Sequence, residues 1–575
     1  MDIRRLGSNA VLKTLTGIAS SPAISTLAYQ EGCGWPIKAT VNIPADWASG
    51  AYLASLRGIG LGETNSSERR ILFVVKRPRS GKDFKILFHV TTSTFEAYNP
   101  WGGKSLYDYN SSGRAEADIV SFERPFDEGV IDGQLLGWQE PFIKWCQGNG
   151  FEIDYCASTD LHADASLLEC YQLLLSVGHD EYWSKEMRDN IEAFIANGGN
   201  VAFFSGNVCY WQVRFDRDDT RMICFRQPNQ DPLLGVDNSR VTVKWTDPLL
   251  NRRENRLTGV SFENGAFWSA DGGPRPKVGF RVWNSRHWIY DGTGLVNGDI
   301  LGKDEAIVGY ETDAALYKMK NGIPQVTGSD ETPLNFIILG IADLSAWEES
   351  GGQSGMATMG IYRNGGTVFT VATTDWSLGL SGNFGALQQI TQNVLRELRC
   401  PSPPSPYLVN GGFESWKIDS RPTVWAIGGT GTVGRGATGA MTAGSVLVLD
   451  GSTGPVFVTQ APCTWLTRET YWFESRTYYR LTAWVRAEGP GAKIGFELRK
   501  PGNLGQTAWE PFALVQHPGN RRWEYLCTVV SLVAPTPLYR GRIILRVDKG
   551  TSASFDDVRL EALGARALSP PIVLP

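Results

Sequence analysis

LLLSVGHDEYWSKEMRDNIEAFIANGGNVAFFSGN, residues 173–207, carries the pattern that decides the fold. LLLSV is an apolar run of strand length, SKEMRDNIEAFIA spaces its apolar residues along one helical face, and NVAFFSG is a second apolar run. Strand, helix and strand in succession are the repeating unit of a parallel sheet. Such a sheet gathers polar groups beyond the carboxyl ends of its strands, where the next helix also offers its positive end. His179, Asp180, Glu181 and Tyr182 stand at that turn.

Outward from this unit, FKILFHVTTSTF from Phe84 and ILFVVKRP from Ile71 read as further central strands. FIKWCQGNG reads as the end of a helix and FEIDYCAS as a strand. Toward the amino terminus, residues 38–43 and 51–56 are short strands around the turn cluster IPADWASG, which makes residues 1–65 a small β element packed on the core. The core domain spans 66–400. Within it, residues 235–365 form a β-rich insertion or extension, with RVTVKWTD, GFRVWNSRHWIYDGTG and EAIVGYETD as short strands. The sheet resumes at GTVFTVATTDWSLGL, and GALQQITQNVLRELRC closes the domain as a helix. PSPPSPY, residues 401–407, cannot hold a helix or an inner strand and is the linker. Beyond it, residues 408–565 alternate apolar and polar positions in TYYRLTAWVRA, KIGFELRK, WEYLCTVVSLV, GRIILRVDKG and SASFDDVRLEAL, the pattern of an antiparallel sandwich. NGGFESW and SFDDVRLE resemble the two ends of galactose-binding-like jelly rolls, a family rich in carbohydrate-binding modules. That likeness implies a carbohydrate ligand, against which stands a purely structural accessory domain.

Composition narrows the function. Lys and Arg number 55 against 60 Asp and Glu, a net charge of -5 that gathers neither nucleic acid nor anionic membrane. No apolar run reaches membrane-spanning length, and MDIRRLGSNAVLKTL lacks the apolar core of a secretory signal, so the expectation is a cytoplasmic protein. The 9 cysteines show no CxxC pairing and read as small buried side chains. With only 5 histidines, a metal would be held by oxygen ligands rather than by an imidazole cage.

The tip of the 173–207 turn lacks the Ser or Cys of a nucleophile elbow, and neither Cys170 nor Cys209 falls where an amidotransferase cysteine would stand. On the bland reading, His179 and Glu181 belong to an elbow whose Asp180 or Ser184 caps the helix. A second polar patch, AYNPWGGKSLYDYN at residues 97–110, also follows a predicted central strand. Loops after parallel strands converge at one end of the sheet, so Tyr98 and Glu181 should approach one another; simple packing of the aromatics under a loop is the alternative.

WASGAYLASL, TFEAYNPWGGKSLYDY, SVGHDEYWSKEM, FFSGNVCYWQVR, HWIYDGTG and VGYETD together resemble, in order and spacing, the large subunit of N,N-dimethylformamidase and its relatives over residues 35–400. The resemblance implies a glutamine-amidotransferase-like α/β core with β-rich insertions and a mononuclear ferric iron held by two tyrosines and a glutamate. By motif those ligands are Tyr52, Tyr98 and Glu181. It further implies His179 and Glu311 as groups that move protons, and a small partner subunit or self-association. Asn99 and Asn207 are our own candidates for donating hydrogen bonds to a developing oxyanion.

Phenolates and a carboxylate form a hard oxygen set suited to ferric iron, and a bound cation favours ionised phenol. Iron would then act as a Lewis acid on a small-molecule amide, with no redox change. The expected function is iron-dependent amide hydrolysis. The rivals are a non-catalytic carbohydrate-binding protein on a degenerate amidotransferase-like fold and an N-acyl sugar deacylase. The linear sequence identifies no carboxylate pair at the separation a glycosidase needs.

Overall fold

The computed structural model describes residues 1–18, 22–57, 68–77, 85–268, 274–285, 287–320, 323–349, 351–382, 385–399, 426–436, 446–460, 478–499, 510–531 and 540–564. Strand outweighs helix among them, and none of the helices is long and apolar enough to cross a membrane. Two compact units emerge. One comprises Met1–Trp283, Gly292–Tyr317 and Val326–Pro401, and the other comprises Asn284–Asp291, Lys318–Gln325 and Ser402–Pro575.

The first unit is built on a nine-stranded sheet. Its strands are β1 (Ile86–Val90), β2 (Asp154–Ala157), β3 (Leu173–His179), β4 (Asn200–Gly206), β5 (Phe280–Val282), β6 (Ile300–Leu301), β7 (Ile337–Asp343), β8 (Met356–Asn364) and β9 (Gly366–Thr370). In space they run β6-β5-β7-β8-β9-β4-β3-β1-β2. From β9 through β4, β3 and β1 to β2 every pairing is parallel, while β6, β5, β7 and β8 extend the sheet antiparallel. Every residue of β3 and β4 is buried. Strands covered on both faces need continuous apolar sequence, and LLLSV and VAFF supply it.

Helix α1 (Thr92–Ala97) follows β1, α2 (Glu140–Gly148) precedes β2, α3 (Lys185–Ala196) joins β3 to β4, and α4 (Gly385–Leu398) follows β9. The hydroxyl of Ser184 caps α3 by accepting from Met187 N at 3.1 Å. Met187, Ile191, Phe194 and Ile195 share one face of α3 and pack with Leu174, Val201 and Phe203 of the sheet.

Several expectations are corrected. Residues 38–43 form no strand. The run at Ile71 belongs to Glu68–Val75, which lies at the edge of a separate four-stranded antiparallel sheet with Val11–Thr14, Asp2–Arg5 and Gly50–Arg57. A lone apolar run does not say which sheet it joins. TTSTF is helix α1 rather than strand, because the chain turns immediately after β1. RVTVKWTD and EAIVGYETD make only isolated bridges, Trp211 with Lys244, Phe267 with Glu311 and Thr312 with Thr373. Side chains take over there; Thr242 Oγ1 and N both donate to Asp231 Oδ2 at 2.8 Å.

Gly178, one residue before the end of β3, has φ of +83°. A Cβ at this position would sit 2.6 Å from Trp138 Cβ. Left-handed backbone and a close approach therefore coincide. Gly178→Ala is expected to lower stability by about 2–5 kcal/mol, read as a reduced urea midpoint.

The second unit is a sandwich of two five-stranded antiparallel sheets. In one, the order is Ala426–Gly429, Val456–Gln460, Arg540–Val547, Ala492–Arg499, Glu510–Gln516; in the other, Thr432–Gly436, Val446–Asp450, Ser552–Gly564, Tyr478–Glu488, Asn520–Ser531. Alternate residues such as Leu481, Ala483 and Val485 of one sheet and Ile543, Leu545 and Val547 of the other share a single core. PSPPSPY and NGGFESW lie outside the described residues, whereas SFDDVRLE falls within Ser552–Gly564.

Candidate metal centre at the carboxyl ends of the parallel strands

Four segments of the first unit deliver side chains beyond the same end of the sheet. Tyr98 terminates α1, and Tyr107 lies nine residues on in the following loop. His179 is the last residue of β3 and Glu181 stands two further on. Asn207 follows β4 in a left-handed conformation with φ of +47°, its N–H donating to Asp313 Oδ1 at 2.9 Å. Glu311 enters on a segment pinned across the end of β9, where its carbonyl accepts from Thr374 N at 3.2 Å. Thr94 Oγ1 accepts from Glu181 N at 2.9 Å and ties α1 to the elbow.

Alternation along the extended elbow sorts its side chains. His179 and Glu181 turn to the cluster. Asp180 turns away and accepts from Ser176 Oγ at 2.7 Å and Trp183 Nε1 at 2.8 Å, with His89 Nδ1 3.2 Å distant.

At the centre are three oxygens. Tyr98 Oη donates to Glu181 Oε2 at 2.6 Å. Tyr107 Oη lies 2.8 Å from Tyr98 Oη and 3.2 Å from each Glu181 carboxylate oxygen. Tyr182 Oη donates to Tyr107 Oη at 2.5 Å. Beside this triangle, His179 Nε2 is 2.7 Å from Glu311 Oε2 and 3.5 Å from Glu181 Oε2, and Asn207 Nδ2 donates to Glu311 Oε2 at 3.1 Å. His179 Nδ1 and Asn207 Oδ1 are buried without a partner.

Burial dominates the electrostatics. It pushes Glu181 up to about 7 against the opposing pull of His179. Burial alone would depress His179, but the Glu311 carboxylate, aided by Glu181, raises it to about 9. The phenols of Tyr98 and Tyr107 are held well above their ordinary value by burial and by Glu181.

The oxygen triangle fits a metal ion. Ligand oxygens at about 2.0–2.2 Å from a cation and at right angles to each other are about 2.8–3.1 Å apart. The observed edges are 2.6, 2.8 and 3.2 Å. Among the described residues no group of three or more His, Cys, Asp and Glu is arranged to hold a metal; at this triangle the phenols of Tyr98 and Tyr107 would complete the donor set with Glu181.

Two expected residues lie elsewhere. Tyr52 Oη donates to Ala48 O at 2.7 Å, and its ring stacks on Trp47 and Phe73 within the amino-terminal sheet. As the second residue after Ser-Gly on a strand it packs inward, and Tyr107 occupies the place beside Tyr98 that Tyr52 was expected to take. Asn99 Nδ2 donates to Pro125 O at 3.0 Å and lies 3.3 Å from Glu96 Oε2, while its Oδ1 accepts from Trp101 N and Asp127 N. Every polar atom of Asn99 is thus committed to shaping the loop, and none is left for an oxyanion. The one signal for Tyr107 in the sequence is its place in the same loop as Tyr98. Trp138 and Tyr310 stack face to face beside His179; Trp138 carries no motif, while Tyr310 lies within VGYETD, next to Glu311.

The N,N-dimethylformamidase beta subunit of Paracoccus aminophilus is 23% identical over 447 residues, which is 65% of this chain and 55% of that one. The corresponding subunit from an Alcaligenes species is 25% identical over 335 residues, 51% of this chain and 42% of that one. The chain therefore spans about half the length of the curated relatives it matches. Among solved structures, a TmCBM61 complex with beta-1,4-galactotriose shares 17% identity over 27% of this chain and 98% of its own. Its TM-score of 0.19 is too low to support any argument. A family described as N,N-dimethylformamidase beta subunit-like, C-terminal, matches residues 4–392, well over half of the sequence, and the chain belongs to that family.

Proposed function

We propose that this protein is an iron-dependent amide hydrolase, with Tyr98, Tyr107 and Glu181 holding the ion. The observation that carries this reading is the oxygen triangle of two phenols and a carboxylate, with edges of 2.6–3.2 Å, set against the His179–Glu311 pair. Family membership supports the reaction class. Parallel strands β9, β4, β3, β1 and β2, with helices between them, support an amidotransferase-like ancestry for the core.

Ferric iron, held by Tyr98, Tyr107 and Glu181, would supply Lewis acidity toward a carbonyl oxygen and a bound water. The chain's own residues handle protons. In hydrolysis, the water oxygen bonds to the carbonyl carbon, the C–N bond breaks and the nitrogen leaves as an amine carrying one more proton. In the His179–Glu311 pair, the Glu311 carboxylate is placed to take a proton from water, and His179, already protonated between Glu311 and Glu181, to give one to the leaving nitrogen. Glu311 stabilises the imidazolium, and Asn207 Nδ2 fixes the Glu311 carboxylate. Tyr182 Oη holds Tyr107 Oη in place.

Amine release from a panel of small neutral amides tests the proposal. Activity is expected to vanish on chelation and return on adding iron. Amide hydrolysis that persists in iron-free protein, or no hydrolysis across the panel by iron-loaded protein, would refute it.

A further inference from the structure

The acid–imidazole cluster is buried and flanked by aromatic side chains. His179, Glu181, Glu311 and Asn207 are between 1% and 5% exposed. Trp138, Tyr310 and Phe267 are only half-buried. These rings are thus the more exposed part of the layer that touches the cluster. Trp138 and Tyr310 lie parallel, 4° apart in plane with centroids at 5.6 Å. Phe267 meets Tyr310 edge-on at 5.7 Å, and both Trp138 and Tyr310 contact the His179 ring, at 6.1 and 6.0 Å.

The wall is held from behind. Trp138 Nε1 donates to Asp375 Oδ1 at 2.9 Å, and Arg275 Nη2 donates to Asp375 Oδ2 at 2.6 Å. Asp375 is 4% exposed, and Thr374 Oγ1 supplies a further donor to Oδ1 at 3.1 Å. Trp138 also rests on Gly178, where a Cβ would collide with it. Backing of this kind fixes the indole plane rather than leaving it free to rotate.

We infer that Trp138 and Tyr310 are the specificity-determining wall of the site, that Asp375 is a positioning residue for Trp138, and that the wall selects amides bearing a flat, uncharged substituent. The inference rests on the proposed site, with Tyr98, Tyr107 and Glu181 at its floor. Parallel indole and phenol faces extend a stack to a third planar group, as offset aromatic contacts favour. An anionic substituent is disfavoured on charge. Arg275, behind Asp375, is already paired with it at 2.6 Å, and Arg226, which lies over the Tyr107 ring, is paired with Glu116 at 2.7 Å. The π faces of Trp138 and Tyr310 are themselves electron-rich and offer an anion no partner.

Calorimetric titration of the full chain with acetanilide, acetamide and N-acetylglycine tests this. Acetanilide is expected to bind at least ~10-fold more tightly than acetamide, and N-acetylglycine more weakly than either. Trp138→Ala should bring acetanilide to within ~3-fold of acetamide. Asp375→Asn keeps an acceptor for the indole N–H and should retain most of the discrimination. Asp375→Leu, which removes it, should lose as much as Trp138→Ala. Discrimination that survives Trp138→Ala, or N-acetylglycine binding as tightly as acetanilide, overturns the inference. These titrations read binding alone, so a protein that sorts the three probes as expected yet carries no iron would refute the proposed chemistry and leave the wall standing.

Discussion

Tyr107→Phe protein is expected to retain its fold, fail to hold iron, and lose amide hydrolysis by about 10³-fold or more. The loss follows from geometry. Phe keeps the ring that stacks on Tyr98 at 4.5 Å and removes only the oxygen that stands 2.8 Å from Tyr98 Oη and 3.2 Å from Glu181. A Lewis acid contributes several kcal/mol to such a reaction, which sets the scale of the activity loss. Tyr98→Phe should behave alike. Tyr52→Phe is the decisive comparison, since family resemblance points to that residue and its hydroxyl instead bonds to Ala48 O at 2.7 Å. It should keep its iron and forfeit about 1 kcal/mol of stability with the lost hydrogen bond. Metal analysis of the three purified variants reads the difference directly; iron lost from Tyr52→Phe but kept by Tyr107→Phe would restore the resemblance-based set.

Glu311→Gln is expected to lower kcat by about 10²–10⁴-fold, the usual reach of general acid–base catalysis, with iron content unchanged. Glutamine still accepts through one oxygen, but the negative charge 2.7 Å from His179 Nε2 is gone, and with it the main support for a protonated imidazole. His179→Gln should produce a loss of the same order. Because the two act as one unit, the double variant should be little worse than either single one. Steady-state kinetics beside metal analysis separates this role from ligation. Were Glu311→Gln to shed iron, Glu311 would have to be counted among the groups that hold it.

The sequence was most legible where backbone period and burial coincide. LLLSV and VAFF had to be strands covered on both faces, and SKEMRDNIEAFIA had to turn one apolar face to them, so the ends of β3 and β4 were placed correctly. From that placement the meeting of Tyr98 with Glu181 followed, because loops after parallel strands share one end of the sheet. Long-range pairing was less legible. Nothing local in ILFVV told that it would join Gly50–Arg57 rather than β1. The strands Ile337–Asp343 and Met356–Asn364, which widen the sheet antiparallel, went unassigned for the same reason.

The site was partly hidden because its members come from four segments spread between residues 98 and 311, and side-chain direction is decided by tertiary packing. Tyr52 and Tyr107 each sit in a motif, yet only the fold turns one inward beneath Trp47 and the other toward Glu181. Asn99 shows the opposite case. A conspicuous polar residue beside Tyr98, it is consumed by the backbone of its own loop. Trp138 and Asp375 lie 237 residues apart and carry no motif at all.

The central claim is that two phenols and a carboxylate of this chain hold one iron. The electronic absorption spectrum of protein reconstituted with ferric iron, taken with its iron content, tests it most directly. About one iron per chain and a visible band from phenolate-to-iron charge transfer are expected, both absent from the Tyr98→Phe, Tyr107→Phe double variant. Protein that stays colourless and iron-free after reconstitution, or a band of full strength in the double variant, would contradict it.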